Sequence, residues 1–164
     1  MLPRMDTSDE TILVLGIGNT LLSDEAVGVR VTEYLADHPE AAKLGLKLLD
    51  GGTMGLTLLV EMEDADALIV IDAAMLGQPA GSVQMFEGPD MDHFLRHRGR
   101  NPHDVGLDDL MDGLRLREAV PEHRALIGIQ PLSIQVGEHL SPSVAAAVPE
   151  AAERIIALAR RWKT

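Results

Sequence analysis

Apolar residues in this chain fall into two kinds of block. Short, nearly continuous runs stand at residues 12–16 (ILVLG), 46–49 (LKLL), 67–71 (ALIVI), 82–86 and 126–134, a length and density that predict sheet strands. Between them apolar positions recur at helical spacing: Val27, Val31, Tyr34 and Leu35; Leu56, Leu59, Val60 and Met62; Leu107, Leu110, Met111 and Leu114; then Val144, Val148, Ile155, Ala159 and Trp162. Strand and helix alternate, which predicts a three-layer α/β fold. The Gly/Pro turn at 77–81 leaves no room for a crossover helix before residues 82–86, so that strand should run antiparallel at an edge.

The residues between the blocks sharpen these limits. Gly16-Ile17-Gly18-Asn19 supplies flexible backbone after the first strand, and Ser23-Asp24 supplies oxygen acceptors for a helix opening. Gly51 and Gly52 follow Asp50 at the end of the second strand, with Thr53 as a candidate cap for the next helix. Asn101-Pro102 is a helix opening, Asn as cap and Pro at the first helical position, which places His103 on the first turn. Pro131 marks a bend or the end of the last strand, Ser141-Pro142 opens the final helix, and Pro149 should kink or break it. Arg154, Arg160, Arg161 and Lys163 complement the dipole at that helix's C-terminus.

Length and charge narrow the function classes. The 164 residues suit a flexible leader over 1–10 and a single domain over 11–164. A formal net charge of −12 repels phosphate backbones, and an aromatic content of 2% leaves almost no platform for stacking bases, so nucleic acid is excluded as an expected partner. No stretch approaches a membrane span and residues 1–10 do not read as a secretory signal, so the expected location is cytoplasmic. The chain has no cysteine, which removes disulfides, thiol nucleophiles and thiolate metal sites and leaves His, Asp and Glu as possible ligands.

Three such residues stand where an α/β sheet gathers its ligands, at strand ends and helix openings along one rim. Glu25 follows the first strand, Asp72 ends the third, and His103 opens a later helix. Two carboxylates and one imidazole suit a borderline ion such as nickel or zinc with positions left open. Each residue also has a plainer reading. Glu25 suits the first turn of a helix without any metal, and Asp24 competes with it, because adjacent helical residues point about 100° apart and one of the two should cap or face solvent. Asp72 directly after five apolar residues is costly unless paired, capped or liganded. His103 alone suits a surface or capping position. His93 and His97 form an i, i+4 pair, but the surrounding Arg96, Arg98 and Arg100 oppose a cation, so this segment reads as solvated or substrate-facing. Gly16 to Asn19 only partly matches a dinucleotide fingerprint, and Asp24-Glu25 would oppose a pyrophosphate.

Taken together, residues 15–30 (LGIGNTLLSDEAVGVR), 50–55 (DGGTMG), 68–73 (LIVIDA), 102–107 (PHDVGL) and Gln130-Pro131 with Leu140-Ser141-Pro142 resemble the hydrogenase maturation protease family. Ala26 stands where many members carry Gly. The resemblance implies an α/β/α sandwich with a five-stranded mixed sheet, and a metal site carried by Glu25, Asp72 and His103. It implies an endopeptidase that removes the C-terminal extension of the nickel-iron hydrogenase large-subunit precursor. The nickel would come with the precursor rather than as a permanent cofactor, other divalent ions entering the site in isolation. Asp50 is then a candidate assisting base, and the basic residues 96–100 a candidate contact for the precursor. Two other classes fit the same donors: a general zinc-dependent amidase or aminopeptidase, and a non-catalytic chaperone of hydrogenase assembly.

Overall fold

Side chains alternate across the pleat of the central strands and sort into two cores. Ile12, Val14, Ile69, Ile71 and Ile127 face one way, and Leu13, Leu15, Leu68, Val70 and Leu126 the other, all essentially inaccessible to water. The computed structural model describes residues 10–52, 55–98 and 106–164. Its strands β1 (Ile12–Ile17), β2 (Lys47–Gly52), β3 (Ala67–Ala73), β4 (Val83–Glu87) and β5 (His123–Ile129) form one sheet in the order β2-β1-β3-β5-β4. Every neighbouring pair is parallel except β4 with β5, so the short strand is the antiparallel edge that the tight turn predicts.

Helices cover both faces, giving the three-layer sandwich. On one side lie α1 (Val27–Ala36) and α6 (Pro142–Trp162), with Val27, Val31, Leu35, Val144, Ile155 and Trp162 in the core; the five-residue α2 (Pro39–Lys43) adds Ala41. On the other lie α3 (Leu58–Glu63), α4 (Pro89–His97) and α5 (Leu107–Leu116), contributing Leu58, Met62, Met91, Leu95, Leu110 and Leu114. Each such aliphatic side chain stabilises the fold by about 1.5–3 kcal/mol on full burial. No described helix is long and apolar enough to cross a membrane.

Several boundaries differ from the sequence pattern for local reasons. A 3-10 turn at Gly55–Thr57 precedes α3, so Leu58 and Met62 face inward while Leu56 and Val60 are exposed, the reverse of the predicted stripe for those two. Tyr34, placed with the inward face of α1, is exposed as well. The last strand starts at His123 and stops at Ile129, ahead of Pro131, and Ile134 lies exposed in the following loop. The final helix runs unbroken through Pro149. Pro149 and Ala145 both lie on its exposed face, so the carbonyl that loses its donor is turned to solvent instead of the core. The helix carrying Leu107 begins there, after Gly106 in extended backbone. Asn101, Pro102, His103, Thr53 and leader residues 1–9 lie outside the described residues.

One backbone contact positions everything at the carboxyl rim of the sheet. A Cβ on Gly28 would lie 2.2 Å from the carbonyl oxygen of Ile71 and 2.6 Å from that of Ile17, and a Cβ on Gly16 would lie 2.4 Å from the carbonyl oxygen of Gly28. The first turn of α1 therefore rests on bare backbone of β1 and β3. Gly28→Ala should lower stability by about 1–3 kcal/mol, read as a shift of the urea unfolding midpoint, because backbone atoms must move to admit the methyl group; an unchanged midpoint would show that the contact is loose.

Candidate active site

The rim is built from the segments that leave β1 and β3. After β1 the chain turns at Gly18, whose φ of 143° and nearness to the Glu25 carbonyl leave no space for a side chain, and then winds a 3-10 turn over Ser23–Ala26. Asp24 and Glu25 lie on this turn and part company. Asp24 is fully buried, and its carboxylate accepts from the backbone N–H of Leu132 at 2.9 Å, Ser133 at 2.9 Å and Ser141 at 2.7 Å, and from the Ser141 hydroxyl at 2.8 Å. Burial pushes its carboxyl up, but those hydrogen bonds outweigh burial and hold it below the usual carboxylate range. Asp24 is thus an anchor tying the turn to the loop between β5 and α6, neither a helix cap nor a solvent-facing residue. Ser23 reinforces the tie, its hydroxyl donating to the Gln135 carbonyl at 2.7 Å.

Glu25 is half-buried and lies close enough to Asp72 for its charge to act on that carboxyl. Asp72 sits near the end of β3 with 14% of its side chain exposed. Desolvation pushes its carboxyl up to about 6; Arg98 pulls against that rise and Glu25 adds to it. The strand end is fixed from β5, where Ala74 donates to the Ile129 carbonyl at 3.0 Å and the buried Gln130 side chain accepts from Leu76 N–H at 2.6 Å.

The structure places Glu25 and Asp72 on the same rim, near enough for charge to act between them. His103 lies outside the described residues, and among those described no group of three His, Cys, Asp or Glu side chains is arranged to hold a metal ion. Two adjacent carboxylates, one of them largely desolvated, fit a divalent ion as oxygen donors and leave the remaining positions to be filled from elsewhere. Asp50 is exposed on β2, level with Gly16 and Ile71, and the pleat directs it to the α1 face, away from Asp72.

Arg98 is the functional neighbour that the pattern of residues does not single out. It follows α4 and turns inward: Nη1 stands 3.3 Å from Asp72 Oδ2, and Nε stands 3.7 Å from Oδ1 of Asp108 on the first turn of α5. Arg96, His93 and His97 stay exposed, the two imidazoles with ring centroids 4.1 Å apart, so the pair is the solvated one expected. Arg98 also borders a cleft of about 570 Å³ lined by Met75, Phe86, Phe94, His93 and His97. The only trace of Arg98 in the sequence is its membership of the basic segment; its burial depends on α4 packing beside β4 and β5.

Comparison with known proteins locates this arrangement. The family model described as hydrogenase maturation protease matches residues 29–158, beginning four residues after Glu25. The chain is 36% identical over 149 residues to the hydrogenase 2 maturation protease of Escherichia coli, covering 91% of this chain and 90% of that one. It is 37% identical over 154 residues to the hydrogenase expression/formation protein HupD of Rhodobacter capsulatus, covering 93% and 73% respectively. In structure it is similar to the hydrogenase maturating endopeptidase HybD of E. coli, with a TM-score of 0.79, 34% identity and coverage of 92% and 93%. For the NiFe hydrogenase maturation protease HybD of Thermococcus kodakarensis the TM-score is 0.73, the identity 28% and the coverage 91% and 99%.

The buried Asp24 and the mostly desolvated Asp72 should respond to mutation and pH in opposite senses. Asp24→Ala should cost about 2–4 kcal/mol of unfolding free energy, since three backbone donors lose a charged acceptor. In the unaltered protein the Asp24 contribution is present above the unfolded-state carboxylate range and is lost as pH falls through the depressed folded value; denaturation curves of the variant that match the unaltered protein would contradict the anchor. Asp72 has the opposite sign. Its proton is taken up on folding, so its contribution to stability falls as pH rises from the ordinary carboxylate range to about 6 and is level above. The carboxyl carbon resonance of Asp72 should titrate with a midpoint near 6, whereas a midpoint in the ordinary range would mean that the side chain is hydrated.

Proposed function

The chain belongs to the hydrogenase maturation protease family, a group of peptidase hydrolases, and we propose that it removes the C-terminal extension from the nickel-loaded large-subunit precursor of a nickel-iron hydrogenase. In this reading Glu25, Asp72 and His103 add their donors to the precursor's own nickel ion. The supporting observation is the pair of carboxylates at the carboxyl rim, Glu25 near enough to a mostly desolvated Asp72 for its charge to act on it. Two carboxylates at one rim attract positive charge, and a divalent ion carried by the precursor supplies it. Because the ion is part of the substrate, gripping it also tethers the neighbouring peptide bond, so recognition and positioning are one event.

The nickel then supplies Lewis-acid polarisation of a carbonyl or activation of a water. The chain's own part is to hold the ion in a rigid corner and keep bulk water from Asp72. Asp50 is assigned an assisting role as base or hydrogen-bond acceptor, which requires the precursor segment to pass over the end of β1. An unassembled precursor as target fits a cytoplasmic location.

Purified protein should shorten the nickel-loaded precursor, as read by intact-protein mass spectrometry, and leave the metal-free precursor unchanged; equal cleavage of both would end the nickel-recognition reading. Glu25→Ala, Asp72→Ala and His103→Ala should each slow cleavage on the order of a hundredfold or more with the circular dichroism spectrum retained. Stoichiometric zinc in the isolated protein with activity on small peptides would point to a general amidase, and an unchanged precursor mass within a stable complex to a chaperone.

A further inference from the structure

Arg98 raises a question that the proposed reaction leaves open, since it already partners the carboxylate assigned to the nickel. Its guanidinium stands 3.3 Å from Asp72 Oδ2, with 22% of the Arg98 side chain and 14% of the Asp72 side chain exposed. A divalent ion bound to Asp72 would lie within a few ångströms of that guanidinium. Even at an effective dielectric of about 20, repulsion over such a distance far exceeds thermal energy. An ion on Asp72 is therefore opposed for as long as the guanidinium keeps its place. Arginine cannot relieve that opposition by losing its proton, so relief comes from displacement of its side chain.

Two features make displacement feasible. Arg98 lies just past α4 in extended backbone, with ψ at 149°, so its side chain can swing without unwinding the helix. Asp108, 3.7 Å from Nε, offers a second carboxylate on which the guanidinium can settle. An ion carried by a protein surface brings docking energy and a high effective concentration to that exchange, whereas an ion free in solution brings neither.

We propose that Arg98 is a specificity-determining counter-ion: it occupies Asp72 until a substrate-borne cation displaces it, and so discriminates against free divalent ions. This rests on the metal-gripping role proposed for Asp72. If Asp72 is free of Arg98 about a tenth of the time or less, apparent affinity for a free ion is lowered about tenfold or more.

Calorimetric titration of the full chain with nickel(II) chloride at neutral pH tests this directly. Arg98→Gln and Arg98→Met, each checked for retained fold, should bind nickel about tenfold or more tighter than the unaltered protein, and adding Asp72→Asn should cancel the gain. Folded variants that bind no tighter would overturn the proposal. A second measurement needs no Arg98 variant. In the unaltered protein, the Arg98 Nε–H resonance should shift as cadmium saturates the site and the Asp72 carboxyl resonance moves; an Arg98 signal that stays fixed while Asp72 responds would also overturn it. No ion reaching Asp72 in any variant would overturn both this and the proposed site, whereas nickel-dependent cleavage with equal nickel affinities would overturn this inference alone.

Discussion

Bare backbone meeting bare backbone governs the rim of this protein. Gly28 at the start of α1 lies against the carbonyls of Ile17 and Ile71, and Gly16 lies against Gly28, with no side chain between them. Side chains ordinarily hold a helix and a sheet apart; their absence here lets the turn at Ser23–Ala26 drop onto the ends of β1 and β3. Glu25 comes close enough to influence Asp72 for that reason. The two residues are far apart in the chain, and their meeting depends on glycines that carry no chemistry of their own.

Adjacent acids on that turn do opposite work. Asp24 is satisfied by four donors from the loop after β5, so its charge is neutralised by structure. Glu25 and Asp72 share the rim, near enough for charge to act between them, with Arg98 as a shared partner for Asp72 and Asp108. Rigid anchoring by Asp24 and desolvation of Asp72 are complementary: the first holds the geometry and the second makes a positive partner valuable. A resident arginine fills that role in the free protein, and in the proposed reading the precursor's nickel does so in the complex.

Much of the architecture could be read from hydrophobic periodicity, since the runs 12–16 and 67–71 could only be buried strands and the tight turn at 77–81 forced β4 antiparallel. Errors arose where a short element lacked enough residues to declare its phase, as at Leu56 and Val60, or where apolar residues lie exposed in a loop, as at Ile134. In the site, Glu25 and Asp72 were legible because strand ends gather on one rim. Asp24 as anchor and Arg98 as counter-ion were not, because their partners, Ser141 and Leu132 for one, Asp72 and Asp108 for the other, are brought near only by tertiary packing. Membership of the hydrogenase maturation protease family rests on the whole chain and not on this pair.

Donation of this chain's own oxygen and nitrogen atoms to a nickel ion belonging to the precursor is the claim on which the functional account turns. Nickel K-edge X-ray absorption of the precursor, alone and in complex with the protease, measures it most directly. The account predicts added oxygen or nitrogen scatterers in the first shell on complex formation, lost when the complex is made with Asp72→Ala; a first shell identical in free and bound precursor would contradict it.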